Sequence, residues 1–103
     1  MSNAASDYLE NELLDHVLGN ASFTSPGTSL YVALFHGTAA GVLTNLEAGT
    51  LTDEITLGSY TRTQVAFNAA ASGSINNNGA VTFPTATANY DGAVTCIAIM
   101  DAT

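Results

Sequence analysis

The stretch SLYVALFHG, residues 29–37, decides the fold. Successive side chains of a strand point to opposite faces, and here both alternating sets are apolar. The two sets are Leu30, Val32 and Leu34 on one side and Tyr31, Ala33 and Phe35 on the other. A strand that is apolar on both faces is typical of a sheet covered from both sides. We therefore expect two separate covers for this strand.

The expected cover of one face is an N-terminal helix over residues 6–18, and that of the other face is a second sheet. Ser6 or Asp7 can cap its start, and Gly19 follows its end, where glycine often terminates helices. An apolar stripe at a spacing of four residues is formed by Leu9, Leu13 and Val17. Because so short a helix is marginal by itself, we expect this stripe to pack on the strand or at a subunit interface.

The rest of the chain predicts short strands separated by turns. Residues 60–67, 80–84 and 93–101 carry strand patterns, and the last of these is apolar on both faces. Residues 38–52 have little periodicity and predict a long loop or an irregular hairpin. Residues 68–79 are rich in Asn, Ser and Gly and predict a flexible, turn-rich connection.

Together these patterns predict a mainly β protein in one domain, residues 1–103. We expect an antiparallel, jelly-roll-like β-sandwich, either complete or incomplete, with one N-terminal α-helix. The strand count of five or six is low for a closed sandwich. The last strand would then expose an apolar edge, which favours pairing with another subunit.

The charge balance narrows the possible partners. The chain carries one cation, Arg62, against nine acidic residues, so its formal net charge is −8. Such a chain cannot neutralise phosphates, and we expect neither nucleic-acid nor anionic-membrane binding. The apolar runs YVALF and CIAIM are too short to span a bilayer.

The sequence offers little chemistry. His16 and His36 have no partners at the spacing of a zinc site, and Asp53 and Glu54 point to opposite faces of an extended chain. Nucleophile-elbow and phosphate-loop motifs do not occur. We expect no enzyme activity, no cofactor and no metal, with calcium held between subunits left open. Cys96 lies in an apolar run and is expected to act as a small hydrophobic residue.

Four stretches together carry a family resemblance: SDYLENELLDHVLGN, SLYVALF, GSYTRTQVAFNAAASGSINNNGAVTFPTAT and AVTCIAIMDA. Their order and spacing resemble small tailed-bacteriophage virion proteins, commonly labelled phage tail fibre proteins and related to jelly-roll capsid decoration or cement proteins. Tyr90 stands where the family tends to have Trp. The family pattern also continues beyond Asp101-Ala102 with further strands, so we expect subunits of this protein to complete one another's sheets as a homotrimer or lattice.

Arg62 and its neighbours are the most informative single positions. GSYTR resembles the family's GSYAR, which favours a structural ion pair of Arg62 with Glu54 or with an acidic residue of the next subunit. A solvated surface arginine is the simpler alternative. Tyr60 is expected in strand packing or at a subunit contact, and Tyr90 on a loop. We take six residues as interface candidates: Tyr60, Arg62 and Tyr90, together with Leu9, Leu13 and Val17 of the N-terminal helix.

The resemblance implies a structural role in the virion. The first hypothesis is an oligomer that decorates or cements the capsid, bound to the major capsid protein or to tail proteins and assembled in the host cytoplasm. The second is a tail-fibre or receptor-contact module, which would use loop aromatics such as Tyr90 and Phe23. The third is a self-assembling β filament completed through residues 93–101.

Overall fold

The computed structural model describes residues 5–102 of the chain. Its elements, in chain order, are α1 (Asp7–Val17), β1 (Leu30–His36), α2 (Ala39–Glu47), β2 (Thr63–Val65) and β3 (Val94–Met100). The fold is mixed: two helices accompany a small antiparallel sheet. The ends of the predicted 1–103 domain, residues 1–4 and 103, lie outside the described residues.

The sheet has the order β2-β1-β3, so the doubly apolar strand lies at its centre. Both neighbours run antiparallel to β1. Val32 is opposite Thr63 of β2 on one side and Ile99 of β3 on the other. The pairing with β3 shifts register between Phe35 and His36, at the end of the strand.

Two separate pieces of chain complete the β2 side of β1. The strand β2 pairs with residues 30–32, and an isolated bridge joins Phe35 to Glu54 further along. Near that bridge, the Ile55 N–H donates to the Leu34 carbonyl at 3.0 Å. The chain leaves the edge of β1 between the two pieces, and this excursion carries the candidate site.

The hydrophobic core lies between the sheet and α2. Ala33, Phe35 and Val42 are fully or almost fully buried and pack as one cluster. Partly buried apolar side chains surround it: Leu46, Cys96, Ala98 and Met100. Cys96 thus packs as a small hydrophobic residue, as predicted. The helix α2 falls within residues 38–52, so the prediction of a loop or hairpin there was wrong.

The N-terminal helix is confirmed, but its predicted place on the sheet was wrong. The Ser6 hydroxyl accepts from the Leu9 N–H at 3.3 Å, which caps α1. None of the residues in α1 is buried. Within the described part of the chain, α1 makes no substantial contact with the sheet or with α2. The cover expected from α1 is therefore provided by α2.

The β-sandwich is not found among residues 5–102, where the sheet has three strands. The antiparallel pairing and the strands at residues 30–36 and 94–100 agree with the prediction. The predicted strand over residues 60–67 is reduced to β2, and residues 80–84 are not in a strand. The β content was overestimated because apolar alternation also occurs in irregular segments that pack on a sheet.

Candidate functional site: a charged clamp beside an apolar groove

Arg62 and Glu54 form a bidentate ion pair. The Arg62 Nε and Nη2 groups donate to the Glu54 Oε1 and Oε2 atoms, each at 2.8 Å. Both side chains are about five-sixths buried, with 15% and 16% exposed. The Arg62 Nη1 group also donates to the Ala102 carbonyl at 3.0 Å. The structure thus shows the ion pair that the sequence favoured over a solvated arginine.

Tyr60 joins this pair to the central strand. Its hydroxyl donates to Glu54 Oε1 at 2.9 Å and accepts from the Leu34 backbone N–H at 3.0 Å. Leu34 lies between the two pieces of chain that complete the edge of β1, so its N–H faces the gap between them. The tyrosine hydroxyl supplies the acceptor that a continuous strand would have supplied. We call Glu54, Tyr60 and Arg62 the clamp.

The ionisation of the clamp follows from these contacts. Hydrogen bonding to Arg62 lowers the pKa of the Glu54 carboxyl below its ordinary value of 4.5, against the opposing effect of burial. Burial raises the pKa of Tyr60 to about 12, and the neighbouring Glu54 carboxylate adds to that shift. Near neutral pH the clamp therefore holds a carboxylate, a guanidinium and a neutral phenol.

Two further aromatic rings, those of Phe83 and Tyr90, extend the clamp. The Tyr60 ring lies 6.1 Å from Phe83 in a stacked arrangement, with 23° between the ring planes. It lies 6.3 Å from Tyr90 in an edge-to-face arrangement, with 75° between the planes. Both geometries are favourable for aromatic pairs. Tyr90 is therefore half-buried against Tyr60 instead of standing free on its loop.

A tight turn places Tyr60 in this position. Gly58 and Ser59 have φ values of 72° and 64°, and the Tyr60 N–H points to the Leu57 carbonyl at 3.4 Å. Positive φ at both central residues is the mark of a type I′ turn. A Cβ on Gly58 would lie 2.8 Å from the Tyr90 ring, so glycine is required both by the backbone and by the packing.

Asp91 fastens the loop that carries Tyr90. Its carboxylate accepts from the Thr56 N–H at 3.0 Å and from the Thr56 hydroxyl at 2.9 Å. The Thr56 N–H bond is the main cause of the lowered pKa of Asp91. His36 Nε2 lies 3.6 Å from the same carboxylate. Sequence patterns predict no structural role for Asp91, because its partners Thr56 and His36 are 35 and 55 residues away in the chain.

The sheet face opposite α2 opens into an apolar groove of about 380 Å³. Its lining residues come from the three strands and from the segment after β2; we call them the groove: Val32, Leu34, Val65, Phe67, Asn77, Val81, Phe83, Ile97 and Ile99. None of these nine side chains carries a charge. Ile97 and Ile99 are 63% and 50% exposed, which is unusual for strand isoleucines. Phe83 belongs to both the groove and the aromatic contacts, so the clamp supports one wall of the groove.

The six interface candidates fall into two groups. Tyr60, Arg62 and Tyr90 come together at the clamp, where their described contacts are within the chain. The stripe on α1 lies apart from them and is solvent-exposed, with Leu13 at 42% and Val17 at 73%. A role of any of these residues in a subunit interface stays a prediction. The groove was missed, although the alternation of Thr95, Ile97 and Ile99 with Cys96 and Ala98 defines one face of β3.

The described part of the chain contains neither a cluster of metal ligands nor a helix suited to a membrane. Among residues 5–102, the His, Cys, Asp and Glu side chains form no group of three or more that could hold a metal ion. Over the same range, neither helix combines the length and the apolar character that crossing a bilayer requires.

The described residues form a small mixed fold with a mostly buried ion pair and an exposed apolar groove. A family model matches residues 4–103, and its description is podophage GP4 fiber I protein gp80. The chain belongs to this family of phage fibre proteins, which confirms the resemblance and makes it a structural component of a virion. No curated protein and no solved structure gives a significant match.

Proposed function

We propose that the protein is a non-enzymatic subunit of a phage tail fibre, which acts by assembling with copies of itself and with neighbouring virion proteins. The match to a fibre protein family over residues 4–103 carries this proposal. The match favours the tail-fibre hypothesis over capsid decoration, which was the first hypothesis from the sequence. Self-association and contact with tail proteins are parts of the proposal.

The surface chemistry supports assembly through apolar contacts. The single arginine is paired within the chain, so it offers no free positive patch for phosphate or for an acidic partner. The exposed apolar side chains are concentrated on α1 and on the groove face of β3. Protein interfaces of this kind gain most of their free energy from a few buried apolar anchors.

Imaging the parent phage tests the location. An antibody raised against the purified protein, coupled to gold, is applied to intact particles and viewed by negative stain. Label at the tail is the expected result. Label distributed over the head would replace the fibre proposal with capsid decoration, and particles that lack the protein altogether would overturn both. Antibody against an unrelated host protein is the control.

The receptor-contact version of the tail-fibre hypothesis is not favoured by the geometry of Tyr90. A sugar-stacking aromatic needs one open ring face, and the Tyr90 ring already packs on Tyr60 and beside Gly58. The β-filament hypothesis has one supporting feature: within residues 5–102, no strand pairs with the outer edge of β3. A filament would scatter light increasingly with concentration, whereas a fibre subunit would form discrete oligomers.

A further inference from the structure

Among residues 5–102, two apolar surfaces are exposed to solvent: the groove and the stripe of α1. We propose that α1 of one copy docks in the groove of a second copy. The inference rests on the proposed function, because it names the contact through which a fibre subunit would associate with itself.

The chemistry of the two surfaces is complementary. The groove offers Val, Leu, Ile and Phe side chains and the single amide of Asn77. The α1 stripe offers Leu9, Leu13 and Val17. Asp15 lies two positions from both Leu13 and Val17, on the opposite side of the helix, where it would stay in water after docking. Two copies that each carry a net charge of −8 repel each other. This repulsion is weakest where the acidic helix of one copy meets the uncharged groove of the other.

The dimensions agree as well. An 11-residue helix is about 16 Å long, and a 7-residue strand is about 23 Å long, so the helix fits along the exposed face of β3. The groove lies beside an outer strand, so the approach is open on that side. Docking would bury Ile97 and Ile99 together with the α1 stripe.

The segment that connects α1 to β1 favours α1 of a second copy as the occupant of the groove. The segment after the helix folds back on its own C-terminal end, where the Phe23 N–H donates to His16 Nδ1 at 3.2 Å. The Asn20 amide donates to Asp15 Oδ1 at 3.2 Å in the same place. In this arrangement α1 makes no substantial contact with the three strands that line its own groove. Reciprocal exchange of α1 closes a dimer, and cyclic exchange closes a trimer.

The first experiment measures association of the full chain by sedimentation velocity over a range of protein and salt concentrations. We expect oligomers that tighten as sodium chloride rises, because salt screens the repulsion between acidic copies. Leu13→Glu on α1 and Ile97→Glu in the groove should each weaken association by about tenfold or more. Leu57→Glu has the same charge change at a 53% exposed leucine outside both surfaces and should leave association within threefold.

The second experiment identifies the contact directly. In a Cys96→Ala background, Leu13→Cys and Ile97→Cys variants, one of them tagged, are mixed and oxidised. We expect a cross-linked heterodimer that does not form when Leu57→Cys replaces Ile97→Cys. A Leu13→Cys/Ile97→Cys double variant that closes an internal disulfide at high dilution would overturn the second copy as occupant.

The remaining outcomes are equally decisive. A chain that stays monomeric at several hundred micromolar in high salt would refute the docking. Equal weakening by all three glutamate variants would also refute it, because it would show a general charge effect. Far-UV circular dichroism checks that each variant folds. These results do not depend on where the protein lies in the particle, so failure of the docking and failure of the fibre proposal are separable.

Discussion

The two faces of the β1–β3 sheet come from the same two strands, and they end in opposite environments. One face, with Ala33 and Phe35, lies under α2 and is closed to water. The other, with Ile97 and Ile99, opens into the groove. Apolar alternation therefore indicates that both faces can be buried, but it does not say what buries them. In the described chain α2 covers one face, whereas Ile97 and Ile99 on the other face stay exposed.

The largest expected change in the free energy of unfolding distinguishes the two faces of the sheet. Phe35→Ala should destabilise the chain by about 3–5 kcal/mol, because it leaves a cavity in the closed core. Ile97→Ala should cost less than about 1 kcal/mol in the monomer, because that side chain is already in water. Urea unfolding followed by circular dichroism measures both. Equal losses at the two positions would break the comparison between closed and open faces.

The next effect concerns the clamp. Glu54→Gln leaves the part-buried Arg62 without its ionic partner and should destabilise by about 2 kcal/mol. Thr56→Val is the control at a neighbouring exposed site. It removes the hydrogen bond from the Thr56 hydroxyl to Asp91 and leaves the ion pair of Arg62 intact. A double-mutant cycle with Arg62→Met isolates the coupling. Additive losses would show that the ion pair contributes no coupling energy.

A smaller effect is expected at the turn. Gly58→Ala should destabilise by about 1–2 kcal/mol, because its backbone has positive φ and the new Cβ would meet Tyr90. Gly79→Ala is the control, since a Cβ there meets nothing within 4 Å and φ is not positive. Thermal unfolding of both variants provides the measurement. Equal melting temperatures for the two would contradict the required turn geometry.

The clamp also predicts two limits in pH. The folded pKa of Glu54 is lowered, so its stabilisation is present above the ordinary value of 4.5 and is lost as pH falls through the lowered value. The folded pKa of Tyr60 is raised to about 12, so its stabilisation is present below pH 10 and is lost as pH rises towards 12. Urea midpoints measured across pH test both directions.

Two variants test which residue causes the loss of stability at each end of the pH range. Glu54→Gln should flatten the acid limb, and Tyr60→Phe should flatten the alkaline limb. Unchanged slopes in either variant would place the titrating group elsewhere. The Tyr60→Phe variant also leaves the Leu34 N–H without its acceptor, so its midpoint should be lower at neutral pH as well.

The smallest effect is expected on α1. Ser6→Ala removes the N-cap bond to Leu9 and should weaken the helix by about 1 kcal/mol. Because α1 makes no substantial contact with the sheet or α2, the global unfolding midpoint of the monomer should not move, while helical circular dichroism falls slightly. A clear drop in the midpoint would show that α1 stabilises the body of the protein.

Several features of the site follow from local sequence, and others do not. The ion pair of Arg62 with Glu54 was among the alternatives because a lone cation in an acidic chain readily finds a carboxylate. The hydroxyl of Tyr60 at the Leu34 N–H could not be predicted, because it depends on a gap in strand pairing 26 residues away. The bond from Thr56 to Asp91 spans 35 residues and has no sequence signal.

The helix α2 shows most clearly what local sequence patterns fail to predict. Residues 39–47 contain a glycine, and α2 is without a side-chain hydrogen bond at its N-cap. These local signals are weak, and they predict a long loop or an irregular hairpin instead of a helix. It forms because Val42 and Leu46 pack on Phe35 and the inner face of β3. Tertiary packing outweighs propensity in a helix this short.

The sequence by itself determined the central strand, the capped helix α1, the last strand and the scarcity of positive charge, since these depend on spacing, capping and composition within a few residues. Only the tertiary structure decided which helix covers the sheet, how Glu54, Tyr60 and Arg62 meet, and that one face of β3 stays open. Those outcomes depend on contacts between distant segments, whose free energies compete in ways that local patterns do not record.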